Sequence, residues 1–332
     1  MRFGVVGCGD IAVSQHLPAL EREARAEVVG VVDADPQRAE RAAATFDVPA
    51  TYPDVATLLD RASPDALVIA TPPHVTSKLA VQAIEAGANV LCEKPIATRI
   101  EDAEDIVAAV DRSDQVLQVG FKNRFSPLVR TMRRWIEEGR IGQPIIARIA
   151  VFDEAFTPED HEHTARIQGF LEHGPPVVHE GSHQIDLLNW MFATPNRVTA
   201  VSATTNPTFP TPNYHVSVLE YGDRASATLE VGWWWPAMLE GDFHLMGPKG
   251  SIELSRSGGF VALTDGSSRQ VVETQEDWMT VCFRGQLDGF IRTCEGEQQE
   301  GATAHDARDV LEVTLAIVDA AARREPIEFP RW

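Results

Sequence analysis

The chain has little cysteine, and its few cysteines are not arranged to bridge or to bind metal. The 332 residues contain four, Cys8, Cys92, Cys282 and Cys294, and no pair has C-x-x-C spacing. Cys8 also lies within a glycine loop, where a disulfide would obstruct function. A disulfide-stapled secreted domain is therefore excluded, and we expect free thiols in a reducing compartment.

Positive charge is scarce as well. Lysine and arginine together number 29 against 49 aspartates and glutamates, which gives a net charge of -20. A chain of this charge repels nucleic-acid phosphates and anionic membrane surfaces. We therefore expect neither a nucleic-acid nor a membrane partner.

Long apolar runs, internal repeats and low-complexity tracts are missing. No uncharged apolar run reaches the roughly 18 residues that suggest a membrane span. Met1-Arg2 leads directly into an apolar strand, without the charged, apolar and small-residue succession of a signal peptide. The length predicts about two domains with a substantial core. Together these features predict a soluble cytoplasmic protein.

A glycine loop is the first positive signal. The apolar run Phe3–Val6 ends in Gly7-x-Gly9-x-x-Ala12, and apolar residues then recur at helical spacing. In such a loop the first glycine allows a tight turn, the second lets the backbone approach a pyrophosphate, and the small third residue allows close helix packing. The predicted cofactor contacts in this loop are Gly7, Gly9, Asp10, Ile11 and Ala12.

Asp33 gives the loop its context. A second apolar strand, Val28–Val32, ends at Asp33, 26 residues after Gly7. A carboxylate there can accept both ribose hydroxyls of NAD and would repel the 2'-phosphate of NADP. We therefore expect NAD rather than NADP. The alternative is an ordinary turn of a βαβ unit.

Two further strands predict more of the same sheet edge. The run Asp65–Ala70 stops at Thr71-Pro72-Pro73, and Asn89–Cys92 delivers Glu93-Lys94-Pro95. Between them, Leu79–Ala86 reads as a helix capped by Gly87. Ligands bind at the carboxyl edge of a doubly wound sheet. The predicted cofactor contacts at this edge are Thr71, Pro72, His74, Glu93 and Lys94.

Lys94 is a candidate catalytic residue. A lysine at a strand end beside a nicotinamide can donate to the substrate oxygen and stabilise the alkoxide that develops as hydride leaves carbon. The alternative is a solvated surface lysine paired with Glu93. Local spacing does not separate these two interpretations.

The second half of the chain predicts a different architecture. A helix over Pro127–Glu138 precedes a strand over Ile145–Phe152, and a long polar loop follows it. Alternating runs then predict a mostly antiparallel open sheet. The fold class is α/β, with a Rossmann domain over residues 1–122 and a substrate-binding and oligomerisation domain over residues 123–332. The five predicted strands of the open sheet are Val198–Thr204, His215–Tyr221, Ser226–Trp233, Phe243–Met246 and Ser251–Leu254.

A local H-E-x-x-H pattern occurs at His179-Glu180-Gly181-Ser182-His183. On a helix it would stack two imidazoles on zinc, with the glutamate as base. The sequence offers no specific third ligand, and Gly181 costs ~1 kcal/mol in a helix interior. The pattern therefore does not by itself predict a zinc protease.

Several segments resemble one known family, the Gfo/Idh/MocA oxidoreductases (glucose-fructose oxidoreductase, inositol dehydrogenase, rhizopine catabolism protein). The resemblance covers nearly the whole chain and implies a Rossmann domain followed by an open sheet. The segments that carry it are the glycine loop, Thr71-Pro72-Pro73, Ala86–Pro95, Val119–Phe125, Gly181–Asp186 and Gly247–Ser251.

The resemblance implies an NAD-dependent dehydrogenase or reductase acting on a sugar, sugar derivative or cyclitol. In the oxidative direction His183 would accept the hydroxyl proton while Lys94 stabilises the oxygen. The implied substrate contacts are Lys94, Arg124, His179 and His183. Two alternatives remain: a redox-coupled elimination that cleaves a glycosidic bond, and a nucleotide-sensing regulator without catalysis.

Two positions depart from the family. Relatives often carry a histidine where Thr76 stands, and they carry an aspartate where His179 stands. On a helix His179 and His183 would share a face and could pass a proton to solvent. We favour this relay and expect no metal. The rival is a metal held by both rings with a further ligand from His161, His163, Asp153 or Glu154. We also expect a homodimer or homotetramer, because an open sheet face needs cover.

Overall fold

The computed structural model describes residues 1–154, 159–205, 209–233 and 242–329, and they form two compact units. The first unit contains Met1–Ser126 and Asp277–Arg308, and the second contains Pro127–Glu276 and Asp309–Trp332. The predicted division into residues 1–122 and 123–332 lacked this late return of the chain to the first unit. The roles assigned to the two domains stay predictions.

The strands follow one another along the whole chain. They are β1 (Arg2–Val6), β2 (Glu27–Val32), β3 (Thr51–Tyr52), β4 (Ala66–Ile69), β5 (Asn89–Cys92), β6 (Leu117–Val119), β7 (Ile145–Asp153), β8 (Arg197–Ala203), β9 (Tyr214–Glu220), β10 (Ala225–Trp233), β11 (Asp242–Gly247), β12 (Gly250–Ser255), β13 (Phe260–Thr264), β14 (Arg269–Glu273) and β15 (Ile327–Glu328).

The helices are α1 (Leu17–Arg22), α2 (Pro36–Thr45), α3 (Val55–Ala62), α4 (Pro73–Glu85), α5 (Ile100–Asp111), α6 (Pro127–Glu137), α7 (His161–Leu171), α8 (Pro176–His179), α9 (Gly181–Phe192), α10 (Trp278–Cys294) and α11 (Ala304–Arg323). A π-helical segment, Ala12–His16, leads into α1, and a 3-10 turn covers Lys122–Phe125.

The sheet of the first unit has the strand order β3-β2-β1-β4-β5-β6, and its strand pairs are parallel. This is the doubly wound order, in which the crevice at the carboxyl ends of the strands binds a dinucleotide. The strands are continuous apolar runs because both faces are buried, as parallel sheets require. The predicted Rossmann fold is confirmed.

A late helix completes the core of the first unit. Leu287, Phe290 and Ile291 of α10 lie in one buried cluster with Phe3 and Val5 of β1. The rings of Phe3 and Phe290 have centroids 6.2 Å apart. Removing a fully buried phenylalanine from such a core costs about 3–5 kcal/mol. This apolar contact explains why Asp277–Arg308 belongs to the first unit.

The sheet of the second unit has the order β14-β13-β12-β11-β7-β10-β9-β8-β15. Only the pair β7 and β10 is parallel among the described strand pairs of this sheet, so the expected mostly antiparallel sheet is confirmed. The five predicted strands correspond to β8 through β12, and no strand end differs from the prediction by more than one residue. Strands β13, β14 and β15 were not predicted.

Two local predictions were wrong. The polar loop expected after β7 contains the helix α7, which begins where the Asp160 side chain accepts a hydrogen bond from the His163 amide. Helix α4 begins at Pro73 rather than Leu79, since proline suits the first helical position, where no N–H donor is needed. The sequence has three consecutive tryptophans, Trp233-Trp234-Trp235, of which only Trp233 lies within the described residues.

Candidate active site

The glycine loop has the geometry that its sequence predicts. The Gly7 amide donates to the Val32 carbonyl at 2.8 Å, and Gly7 has a φ of +89°. A Cβ at Gly7 would lie 2.5 Å from the Ala70 carbonyl oxygen, so this position requires glycine. A Cβ at Gly9 would meet none of the described atoms within 4 Å. Chain packing does not demand the second glycine, and the space beside it suits a ligand.

The helix start faces the same loop. The Val13 amide donates to the Gly9 carbonyl at 3.1 Å, and the chain is helical from Asp10 onward. First-turn amides have no intrahelical acceptor and can turn toward an anion. Ala12 is fully buried, as the packing role of this position requires. The loop therefore fits the pyrophosphate of a dinucleotide, with Asp10 and Ile11 in its first turn.

The Asp33 carboxylate is fixed at the end of β2. One oxygen accepts the Cys8 amide at 2.7 Å, and the other accepts the Asp35 amide at 2.8 Å. Each oxygen keeps a lone pair for a further donor. Burial and the Asp33 charge raise the pKa of Cys8 to about 12, so its thiol stays protonated. Cys8 is thus a packing residue of the loop rather than a nucleophile.

The Thr71-Pro72-Pro73 turn is closed by Thr76. The Thr76 hydroxyl lies 2.9 Å from the Thr71 hydroxyl and donates to the Pro72 carbonyl at 3.1 Å. Thr76, at the position where the family resemblance implies a histidine, is completely buried. His74 is exposed in the first turn of α4 instead.

Glu93 and Lys94 leave the carboxyl end of β5, as predicted. The Glu93 amide donates to the Ile69 carbonyl at 2.8 Å, which keeps the pair at the sheet edge. One Glu93 carboxylate oxygen lies 2.8 Å from Nε2 of the buried His16, and the other accepts the Lys94 amide at 3.3 Å. Glu93 thus faces inward, and Lys94 is half-buried rather than a fully solvated lysine.

The charge of Glu93 is maintained by its neighbours. Burial alone would raise the pKa of Glu93, but the hydrogen bond and charge of His16, followed by the charges of Lys94 and Lys122, outweigh it and lower the pKa. The carboxylate is therefore ionised, and His16 Nε2–H is the donor between them. Neither His16 nor Lys122 was predicted as a site residue.

Arg124 is held inside the first unit. Its side chain is 4% exposed and lies 3.2 Å from an oxygen of Asp306. The same oxygen accepts the Thr303 amide and hydroxyl. The predicted substrate contact of Arg124 stays a prediction, and the described ion pair gives this residue a structural role as well.

His179 and His183 lie at a break between two helices of the second unit. His179 ends α8, Glu180 joins the helices with helical dihedral angles, and α9 begins at Gly181. The His183 amide donates to the Glu180 carbonyl at 3.1 Å, and the Ser182 hydroxyl donates to the His179 carbonyl at 2.8 Å. Because the helical bonding is interrupted, the spacing of four alone does not fix how the two rings face each other.

The His179 ring is enclosed by aromatic side chains. It stacks on Trp233 with centroids 5.4 Å apart and meets the edge of Phe170 at 5.5 Å. Its Nε2 lies 3.0 Å from the Phe170 carbonyl oxygen. A carbonyl only accepts hydrogen bonds, so Nε2 carries a proton and Nδ1 is the acceptor of the neutral ring. His183 is 1% exposed.

The proposed third ligands of a metal site have other contacts. Glu154 lies 3.4 Å from His163 and 3.2 Å from Arg166, while Asp153 accepts the Glu154 amide. Burial, the largest influence, raises the pKa of Glu154. His161 is exposed. Across the described ranges, no group of three or more histidine, cysteine, aspartate or glutamate side chains is arranged to hold a metal ion.

Two family models match this chain. The model of an oxidoreductase family with an NAD-binding Rossmann fold matches residues 1–121, and a Gfo/Idh/MocA C-terminal domain model matches residues 129–253. The chain belongs to the Gfo/Idh/MocA oxidoreductase family. The two matches confirm the family resemblance that the motifs indicate. The first match also confirms NAD as the predicted cofactor.

Individual relatives match over most of their length. Inositol 2-dehydrogenase 2 of Saccharopolyspora erythraea is 28% identical, over 97% of this chain and 93% of its own. The 1,5-anhydro-D-fructose reductase of Ensifer adhaerens is 26% identical, over 99% and 98%. Levoglucosan dehydrogenase, solved with NADH and levoglucosan, shares the fold with a TM-score of 0.88 at 21% identity, over 100% of both chains.

In the described part of this Gfo/Idh/MocA chain, no helix is long and apolar enough to cross a membrane.

Proposed function

We propose that this oxidoreductase uses NAD to oxidise a hydroxyl of a sugar, sugar derivative or cyclitol, or to reduce the corresponding ketone. The placement of Lys94 carries the proposal, since a buried and ionised Glu93 sets this lysine at the carboxyl edge of the sheet. The names of full-length relatives, an inositol dehydrogenase and an anhydrofructose reductase, support the substrate class.

The cofactor's ribose is assigned to Asp33. Its carboxylate is oriented by two backbone amides and retains lone pairs for two hydroxyl donors. The 2'-phosphate of NADP would bring a second negative charge to the same place. This supports a preference for NAD. When bound, NAD supplies the nicotinamide carbon that takes up hydride.

Proton handling is assigned to His183 and Lys94. In oxidation His183 accepts the hydroxyl proton, and Lys94 donates to the oxygen as negative charge develops on it. In reduction the same groups act in reverse. Arg124 and His179 are assigned to orienting the substrate.

His179 is assigned to passing a proton from His183 to solvent through one ring nitrogen. Its Nε2 donates to the Phe170 carbonyl, so only Nδ1 can receive a proton from a neighbour. Receiving one would make a cation on the face of Trp233, which favours positive charge. The rival metal site could likewise use only Nδ1 of this ring.

An assay with a polyol panel tests this function. Purified protein is incubated with NAD or NADP and with inositols, aldoses and anhydrosugars, and absorbance of the reduced cofactor is followed. Reduction by at least one of them is expected. Release of an aglycone without net reduced cofactor would favour the elimination reaction, and NAD binding without any turnover would favour the regulator.

We also propose that the Gfo/Idh/MocA chain pairs with a second copy through its open sheet. Register places Met246 opposite Ile146, and both are about half exposed, at 50% and 49%. Val201 and Val218 extend this apolar face on β8 and β9. The same face has an ion pair between Arg269 and Glu253. A surface with both positive and negative charges around an apolar centre can pair with a second copy of itself about a two-fold axis.

Molar mass in solution tests the pairing. Met246→Glu and Ile146→Glu together should lower the mass measured by light scattering to that of one chain. Ala44→Glu, on an exposed position of α2, is the control and should leave the mass unchanged. A wild-type protein with the mass of one chain would contradict the proposed pairing.

A further inference from the structure

His16 and Glu93 form a buried acid–base pair next to Lys94, which directly follows Glu93 in the chain. The side chain of His16 is 5% exposed, that of Glu93 is 11% exposed, and Nε2 lies 2.8 Å from Oε1. The second carboxylate oxygen accepts the amide of Lys94. One carboxylate therefore links the helix that follows the glycine loop to the residue assigned to the substrate oxygen.

A π-helical segment delivers His16. The Leu17 amide donates to the Ala12 carbonyl, five residues back, and the segment Ala12–His16 ends at the histidine. Such segments are rare and occur often at functional sites, because the inserted residue changes the direction of the side chains that follow. In this chain the segment lies between the glycine loop and α1, and it ends with His16 on Glu93.

The surroundings fit the pair closely. A Cβ at Gly120 would lie 2.9 Å from a Glu93 carboxylate oxygen, so glycine is needed there for the carboxylate to fit. The edge of the His16 ring meets Phe283 with centroids 5.0 Å apart at 89°. The Lys122 ammonium lies 5.8 Å from the centre of the same phenyl ring. All these residues belong to the first unit.

We propose that His16 and Glu93 are positioning residues for Lys94. His16 holds one oxygen of the Glu93 carboxylate, the other oxygen holds the Lys94 amide, and the lysine side chain therefore leaves the strand end in one direction. This proposal rests on the proposed function of Lys94. A displacement of about 1 Å at a reacting group can cost about 10²-fold in rate, so a positioning role is measurable.

The negative charge of Glu93 also contributes to the positioning of Lys94. Lys94 and Lys122 both act on the Glu93 carboxylate, and His16 donates to it. A carboxylate with these three neighbours offsets the positive charge gathered at the end of β5. Glu93→Gln keeps the size and an acceptor oxygen but removes this charge, whereas His16→Phe keeps the ring against Phe283 but removes the donor.

Turnover of variants tests the positioning role. His16→Phe should lower kcat by about 10²-fold, with the KM for NAD and for the polyol changed less than about threefold. His16→Gln restores a donor and should recover kcat to within about tenfold of wild type. Glu93→Gln should lower kcat as His16→Phe does. A kcat of His16→Phe within threefold of wild type would overturn the proposal.

A matched control is available on the surface of the same unit. His305 also pairs with a carboxylate, that of Asp111 at 2.9 Å, but both side chains are more than half exposed. His305→Asn should leave kcat unchanged. Equal losses of kcat in His305→Asn and His16→Phe would show a general effect of losing a histidine pair and would overturn the positioning role.

Hydrogen exchange tests the same contact without turnover. Amide exchange in the peptide spanning residues 89–96 should be about tenfold faster in His16→Phe than in wild type, with β1 and β4 unchanged. Exchange identical to wild type would contradict the positioning role even if kcat falls. If wild type oxidises no polyol, the proposed function fails, while this exchange result still decides whether His16 holds Glu93 and Lys94.

Discussion

The His179 imidazole stacks on the Trp233 indole, with ring centroids 5.4 Å apart and an angle of 18° between the planes. The Phe170 carbonyl receives its Nε2–H at 3.0 Å. These two contacts fix the ring and its tautomer. At this position, where the family resemblance implies an aspartate, the second unit therefore has a neutral acceptor nitrogen.

Removing His179 should harm the reaction less than removing His183. In the relay His183 takes the proton from the substrate, and His179 only passes it on, so His183→Ala should lose about 10²-fold or more in kcat and His179→Ala clearly less. The assay is repeated in a chelator. Stoichiometric zinc or manganese in the purified protein, with turnover lost in chelator, would overturn the relay in favour of the metal.

Changing Asp33 should narrow the cofactor preference. Asp33→Ala removes an acceptor for the ribose hydroxyls and also removes the repulsion of a 2'-phosphate, so NAD should bind more weakly and NADP more tightly. Titration of both cofactors measures the two changes. Equal affinities in the wild-type protein would contradict the assignment of Asp33.

Lys94 should affect turnover more than binding. Because its ammonium is assigned to negative charge that develops only as the bond breaks, Lys94→Ala should lower kcat by about 10²-fold while the Kd for NAD changes little. Lys78→Ala, which alters an exposed lysine of α4, is the control. Turnover of Lys94→Ala near that of wild type would contradict the catalytic role of Lys94.

Acid should destabilise the protein through His215. Burial lowers the pKa of His215 from 6.5 to about 4, and the side chain lies in the interior of the second unit. The folded state binds this proton later than the unfolded state, so the stability contribution is complete above about pH 6.5 and is lost as the pH falls toward about 4. A shift of this size corresponds to about 3 kcal/mol.

Urea unfolding of wild type and His215→Gln isolates this contribution. Between neutral pH and about pH 4.5 the wild type should lose about 2–3 kcal/mol more of its unfolding free energy than the variant does. His305→Asn changes an exposed histidine and should behave as wild type. Parallel losses in wild type and His215→Gln would contradict a buried neutral His215.

The strands of the Rossmann sheet could be predicted from the sequence because they are continuous apolar runs. Asn89–Cys92 is a strand over the predicted residues. Asp35 caps α2 by accepting the Gln37 amide, and an aspartate directly before a proline is a common signal for a helix start. These features are local. A strand between two buried faces and a capped helix each leave a pattern within a few residues.

Long-range contacts left no such pattern. Phe290 belongs to the core of the first unit, but its spacing on α10 is that of any amphipathic helix. The sequence does not indicate helix α7, because Ile167 and Leu171 are the only buried side chains of this helix and two residues are too few to form an apolar pattern. The sequence does not indicate His16 as a site residue, because the π-helical segment shifts it out of regular helical spacing. A histidine after a glycine loop is a weak signal that could have drawn attention to it.

Transfer of hydride from substrate carbon to NAD is the central claim, and isotope transfer measures it directly. A polyol that reduces NAD in the panel is prepared with deuterium on the carbons that bear its hydroxyls and is incubated with the protein and NAD. The reduced cofactor is then weighed by mass spectrometry. We predict one deuterium per reduced cofactor, formed by wild type and strongly diminished in Lys94→Ala. Bound NAD that is not reduced by any sugar or cyclitol, or reduced cofactor that carries no deuterium, would contradict the account.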